Sequence, residues 1–326
     1  MTSYADSFLA STNALISQAL DTDAVQASDR HGRAGLSAIA KHLCLSENAK
    51  RARPLLCLYS HWLFEQQVDQ DFVKIGVAAE FIHAASLLHD DVVDEALKRR
   101  GFKSANAQFG NAQAVLAGNY LLTKAFDFLR AFPRALADRA IGVVNDMTES
   151  ALLEINSRGS LALSEDTWRK IARGKTGVLF AWCGYASAIC AKQEHEAEKL
   201  WAIGQQIGQI FQMADDLKDF HGDSNLKDIC RDIRNKEPSL PIIIALNSSA
   251  KIFDAFRLYY EHEELSESHV EHLRELILAS GALEITHRHM QDILRDIRYE
   301  LRAFDKTLGK TCLDAWVEDL TALHAS

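Results

Sequence analysis

Two short acidic stretches carry the chemistry most visible in this chain. Leu88-His89-Asp90-Asp91-Val92-Val93-Asp94 and Met213-Ala214-Asp215-Asp216-Leu217-Lys218-Asp219 share the pattern DDxxD. On a helix, Asp90 and Asp94 share one face, and so do Asp215 and Asp219. Three carboxylates in one turn repel one another unless a cation neutralises them. The donors are all oxygen, with no His or Cys set. That suits Mg²⁺, which takes one or two carboxylates and completes its shell with water and phosphate oxygen. Asp90, Asp91, Asp94, Asp215, Asp216 and Asp219 are therefore candidate metal ligands. Two clusters facing each other across a bundle could hold several Mg²⁺ ions around one diphosphate, a poor leaving group until its charge is neutralised. One such cluster could equally be a solvated helix end; two near-identical ones favour metal.

A diphosphate also needs cationic donors. Arg99-Arg100-Gly101 follows the first cluster, Lys50-Arg51-Ala52-Arg53-Pro54 opens a helix, and Lys175-Thr176 follows Gly174 before an apolar run. Helix starts and Arg or Lys forks both favour phosphate. His83 lies two turns before Asp90. Taken singly, each basic pair reads as solvated surface and the histidine as a core residue; their grouping around two acidic clusters is what gives them weight.

The elements that must hold these residues are helices. Apolar residues recur at helical spacing over 72–94, 112–129, 134–155 and 196–220, and 251–323 alternates charged and apolar positions as edge-packed amphipathic helices do. Pro54 fits a helix first turn. Gly101 and Gly110 bracket an expected loop, Gly222 follows an expected helix end, and 221–241 reads as loop or broken helix. Only 4 Pro and 16 Gly interrupt 326 residues, of which 48% are hydrophobic. The expectation is a single all-α domain over 1–326, with its motifs between about 50 and 241.

Net charge is −9, so a nucleic-acid partner is not expected. Cys44, Cys57, Cys183, Cys190, Cys230 and Cys312 form no CxxC pair, which fits reduced thiols. No signal peptide is read at the N-terminus, and no apolar stretch reaches the roughly 18 residues needed to span a bilayer, so no transmembrane segment is expected and a cytoplasmic location is.

On these residues the chain resembles the trans-type prenyl diphosphate synthases, the polyprenyl synthetases, and most closely their bacterial medium- and long-chain members. The resemblance runs from about 50 to 241. It rests on the stretch from Glu80 through Asp90-Asp91-Val92-Val93-Asp94-Glu95, on Arg99-Arg100-Gly101, Ser104-Ala105-Asn106, Phe109-Gly110-Asn111, Ala114 to Gly118, Lys175-Thr176-Gly177, and Phe211-Gln212 to Asp219. It implies a bundle of about ten core helices around a central cavity, usually a homodimer. It implies condensation of an allylic diphosphate with isopentenyl diphosphate, and about three Mg²⁺ per active site. By motif position, Asp90, Asp94 and Asp215 would ligate Mg²⁺, while Asp91, Asp216 and Asp219 would act through water or support the shell. Arg99, Lys175 and Gln212 would hold the allylic diphosphate. Lys50, Arg53, His83 and Arg100 would hold that of isopentenyl diphosphate, and Thr176 and Gln212 would face the developing carbocation. The departing diphosphate would take the proton, so no protein base is required.

Several positions depart from the family pattern. Asn48-Ala49 replaces Gly-Gly before Lys50, Asn119 a usual Asp, Ser150-Ala151 a Gly-Glu pair, Glu154 a usual Gln, and Lys218 an apolar residue. Lys236-Glu237 stands in place of Gly-Lys, with Lys236 as a candidate displaced phosphate ligand. In the family it resembles, a bulky side chain four or five residues before the first cluster blocks the growing chain; here those residues are the small Ser86 and Ala85, so the resemblance implies a product longer than farnesyl, with Phe81 as the next obstacle. Close helix packing explains small residues there as well. Two other readings stay open. A class I terpene cyclase would carry Ser or Thr, then Glu, where Asp219 and Asp223 stand. A non-catalytic subunit of a heteromeric synthase would commonly lack one cluster.

Overall fold

Apolar residues at three- and four-residue intervals, rarely broken by Pro or Gly, become helix along nearly the whole chain. The computed structural model describes residues 2–26, 33–46, 49–99, 101–220, 229–262 and 264–322. Among these are sixteen α-helices: α1 (Thr2–Gln26), α2 (Arg33–Cys44), α3 (Ala52–His61), α4 (Val73–Val93), α5 (Ala105–Phe109), α6 (Asn111–Leu129), α7 (Arg134–Ser157), α8 (Glu165–Ala172), α9 (Val178–Cys190), α10 (Ala197–Lys218), α11 (Arg231–Arg234), α12 (Leu240–Ser248), α13 (Ala250–Tyr260), α14 (Glu267–Ala279), α15 (Ala282–Glu300) and α16 (Leu308–Ala322). The protein is all-α, as expected, and the four long apolar stretches are α4, α6, α7 and α10.

The span between Gly101 and Gly110 is more ordered than a loop. Lys98–Arg99 and Phe102–Lys103 form a two-residue antiparallel ladder, β1 and β2, with Gly101 at φ 87° between them. Helix α5 follows directly. In the expected loop before Pro241, α11 supplies one short helix; Gly222 and Asp223 lie outside the described residues.

The chain divides into two compact units. One comprises Met1–Ile141, Trp182–Leu200 and Thr307–Gly309; the other comprises Gly142–Ala181, Trp201–Lys306 and Lys310–Ser326.

In the first unit α4 packs on α1, α3 and, most extensively, α6. Gly118 permits that approach: a Cβ there would stand 2.2 Å from His89 Nε2. Ile75, Val77, Phe81, Ile82, Ala85 and Leu88 of α4 are fully or almost fully buried. The stretch Gln70–Val93 is, among the described residues, the one long and apolar enough by length and composition to cross a membrane. The expectation that no stretch reaches that length is corrected here: the scattered polar residues, Glu80 among them, leave the mean hydropathy of the helix high. Its most apolar window is 67% buried inside the protein, as a core helix is.

In the second unit α12 is apolar almost all round, and Leu240 to Leu246 are buried. It packs on α13, α14 and α15, whose one-sided apolar faces explain the alternating pattern of the C-terminal third.

Candidate active site

The first cluster sits in the last turn of α4, with Asp94 as its C-cap. Its three carboxylates have different environments. Asp91 is fully buried, Asp90 half-buried and Asp94 exposed. Asp91 Oδ1 accepts a hydrogen bond from Arg99 Nε at 2.6 Å. The hairpin after α4 delivers that arginine: Ala96 N–H bonds back to Asp91 O at 2.9 Å, and Ser104 Oγ donates to Ala96 O. Arg99 therefore stands on the carboxylate cluster, 28% exposed.

The second cluster ends α10, and here too the roles separate. Asp215 is exposed, whereas Asp216 is buried. Asp216 Oδ2 accepts from Trp168 Nε1 at 2.8 Å and from the Leu240 N–H at 2.9 Å; its Oδ1 accepts from Gln212 Nε2 at 2.9 Å. Burial pushes the Asp216 carboxyl up to about 7, against those three donors. The Leu240 N–H opens α12, so this carboxylate also meets the positive end of a helix. Asp219 accepts from the Arg231 and Asp232 N–H groups, each at 2.9 Å, which closes the start of α11 onto the end of α10. Burial raises its carboxyl as well, with those N–H donors opposing.

Lys175 and Thr176 lie in a π-helical turn, Arg173–Gly177, between α8 and α9. Such bulges concentrate at functional sites. Two glycines admit it against α10: a Cβ on Gly208 would fall 2.4 Å from Gly177 Cα. The Thr176 hydroxyl then donates to Gln212 Oε1 at 2.9 Å. Thr176, Gln212 and Asp216 thus form one hydrogen-bonded line, anchored by Trp168 and Leu240. Lys175 Nζ is ion-paired with Glu154 of α7, so the departure at 154 faces a lysine.

The other expected residues are placed as follows. Lys50 is exposed, His83 is half-buried in mid-α4, and Arg53 is 6% exposed in the first turn of α3. Asn48 and Arg100 lie outside the described residues. Asn119 and Lys218 are exposed. Lys236 Nζ donates to Tyr260 O at 3.1 Å and to His262 O at 2.7 Å, with its backbone at φ 55°. It ties the chain before α12 to the end of α13, where the sequence suggested a phosphate ligand. Phe81 is buried with its ring centroid 6.0 Å from that of Phe128, Ala85 is fully buried, and Ser86 is half-buried with its hydroxyl on His83 O.

Not foreseen from the sequence are the structural role of Arg51, the part played by Trp168, and the pairing of Glu154 with Lys175. Arg51 adopts φ 51° and reaches Glu80 at 2.7 Å, Asn13 at 2.8 Å and the Cys44 carbonyl. A lone Glu80 inside the apolar run of α4 was the signal that a buried cation must meet it. Trp168 left no such mark. Among the described residues, no three His, Cys, Asp or Glu side chains converge closely enough to hold a metal unaided.

Comparison with known proteins places this geometry. The polyprenyl synthetase family profile matches residues 34–277. The chain is 31% identical over 255 residues to the all-trans-nonaprenyl-diphosphate synthase (geranyl-diphosphate specific) of Rhodobacter capsulatus, covering 77% of each chain. A crystal structure of a decaprenyl diphosphate synthase from Rhodobacter capsulatus matches with TM-score 0.89 and 26% identity, over 100% of this chain and 98% of that one. A polyprenyl synthase from Caulobacter crescentus CB15, complexed with calcium and isoprenyl diphosphate, matches with TM-score 0.88 and 28% identity, over 99% and 97%. With both DDxxD clusters at helix ends and the profile spanning the helices that carry them, the chain belongs to the polyprenyl synthetase family.

Proposed function

We propose that the protein is a Mg²⁺-dependent trans-prenyltransferase. It joins an allylic prenyl diphosphate head-to-tail to isopentenyl diphosphate and releases diphosphate. The hydrogen-bonded line from Thr176 through Gln212 to Asp216 carries this reading, because it ties a polar pair suited to a developing cation to a carboxylate cluster. Both compact units act in this reading as one synthase domain, in a cytoplasmic homodimer.

The donor set fits Mg²⁺. Asp90, Asp94 and Asp215 offer carboxylate oxygen at helix ends with at least partial exposure. Asp91, Asp216 and Asp219, which accept donors from the protein, act through water or support the shell. Among the described residues no three such side chains converge on one point, so substrate oxygen and water complete each shell, as is usual for this ion. About three ions per site would neutralise the diphosphate and make it a leaving group.

The chain's own residues do the rest. Arg99 and Lys175 hold the allylic diphosphate; Lys50, Arg53, His83 and Arg100 hold that of isopentenyl diphosphate. Thr176 and Gln212 turn oxygen dipoles toward the forming cation. The small Ala85 and Ser86 favour a product of geranylgeranyl length or longer, in keeping with relatives named for octaprenyl and nonaprenyl products. A cyclase or a non-catalytic subunit finds no counterpart among these relatives, and both clusters are intact.

The test is incubation of the purified protein with Mg²⁺, labelled isopentenyl diphosphate and a set of allylic primers. The expected result is a ladder of labelled prenyl diphosphates longer than farnesyl, abolished by EDTA. No incorporation with any primer would overturn the assignment; farnesyl diphosphate alone would overturn the length.

A further inference from the structure

The mechanism above uses Lys175 but leaves Glu154 without a role, although the two are ion-paired. Three observations define the pair. It is sheltered: the Glu154 side chain is 15% exposed and that of Lys175 28%. Its geometry is imposed by packing. Ser150 and Glu154 lie one turn apart on α7, and a Cβ on Gly174 would stand 1.7 Å from Ser150 Oγ and 3.2 Å from the Asp146 carbonyl, so α7 lies directly against the π-turn. Gly177 meets Gly208 of α10, so the backbone before Lys175 is held by α7 and that after it by α10. Finally, the surroundings are acidic. Glu154 lines a small cleft together with Gln212, Asp216, Asp232 and Glu237.

A lysine meant to hold a diphosphate is therefore held in advance by a carboxylate, beside further carboxylates. An arriving diphosphate must compete with Glu154 for the ammonium and approach against its charge. We infer that Glu154 is a positioning residue that sets how tightly the allylic diphosphate is held, by acting as the resident counter-ion of Lys175. The inference rests on the assignment of Lys175 to the diphosphate site. Glutamine at 154 keeps the shape and a hydrogen-bond acceptor but removes the competing charge.

The test uses the full-length protein and its Glu154→Gln, Glu154→Asp and Lys175→Gln variants. Inorganic pyrophosphate with Mg²⁺ is titrated calorimetrically, and KM and kcat are measured for the allylic diphosphate and for isopentenyl diphosphate. E154Q should bind pyrophosphate about tenfold tighter and lower KM for the allylic substrate by a similar factor, with KM for isopentenyl diphosphate unmoved. E154D, which keeps the charge, should stay near the wild-type values. In the K175Q background the E154Q change should have no effect, because the two side chains act as one unit. Pyrophosphate affinity within twofold of wild type in E154Q, or the same tightening without Lys175, would overturn the inference. If the wild-type protein makes no prenyl product while the pyrophosphate titrations still show the coupling, the transferase assignment fails and the counter-ion role stands.

Discussion

Asp91 Oδ1 accepts the Nε–H of Arg99 at 2.6 Å, with the aspartate fully buried and the arginine still reaching solvent. One member of the first acidic cluster is thereby spent on holding a cation beside it. Replacing Asp91 by Asn removes the charge partner of the guanidinium and leaves an amide at a fully buried position. We expect a loss of about 2 kcal/mol in urea unfolding. Asp94→Asn, at an exposed site, should leave stability within about 0.5 kcal/mol while removing Mg²⁺-dependent activity. Equal stability losses in the two variants would contradict this division of roles.

The same contrast applies to the second cluster. Asp216 accepts three donors that converge on it, so an amide there sets one N–H against N–H groups it cannot receive. Asp216→Asn should cost about 1–3 kcal/mol, measurable by thermal or urea unfolding. Asp215→Asn should abolish turnover with near-native unfolding.

Gly208 and Gly177 allow α10 to touch the π-turn. Gly208→Ala must move backbone rather than a flexible side-chain tip, and should cost about 1–3 kcal/mol while displacing Thr176 from Gln212. Gly142 on α7 has open space around it, so Gly142→Ala is the control and should stabilise by about 0.5–1 kcal/mol. A kcat unchanged in Gly208→Ala would argue that the Thr176–Gln212 bond is dispensable.

Product length can be probed one turn above Asp90. Ala85 is fully buried, so Ala85→Phe overpacks the core at about 1–3 kcal/mol. Ser86 is half-buried and is the gentler place for a bulky group. Ser86→Phe should shorten the products seen by thin-layer chromatography of the dephosphorylated alcohols. An unaltered ladder would put the floor of the pocket elsewhere.

Two sheltered thiols contribute to the pH dependence of stability on the alkaline side. Burial pushes Cys190 and Cys230 up to about 12, against about 8.5 in an unfolded chain. The folded state therefore keeps protons that the unfolded state releases. The stability this contributes is whole below about pH 8.5 and is lost as pH rises toward 12. Urea midpoints should fall across that range. Iodoacetamide at pH 8.5 should label the fully buried Cys230 only as fast as the protein unfolds; rapid native-state labelling would refute the burial argument.

Charge pattern and helical period were enough to find α4, α6, α7 and α10, the two clusters and the Lys175-Thr176 pair, because each is a matter of spacing along one chain. What Lys236 does was not legible: its ammonium is used by two carbonyls that come from 24 and 26 residues further on. Glu154 registered as an oddity in the sequence and acquired a meaning only when α7 met the π-turn.

The sequence by itself determined that carboxylates cluster twice at helix ends and that helices carry them, since residue type and a 3.6-residue period are local properties. The tertiary structure alone decided how deeply each carboxylate in a cluster is buried: Asp94 and Asp215 stay exposed, whereas Asp91 and Asp216 are buried. Asp91, Asp216 and Asp219 are claimed by Arg99, Trp168, Leu240 and the start of α11, partners 8 to 48 residues away in sequence. Identical letters in a motif become different chemical groups once burial and distant donors act on them unequally.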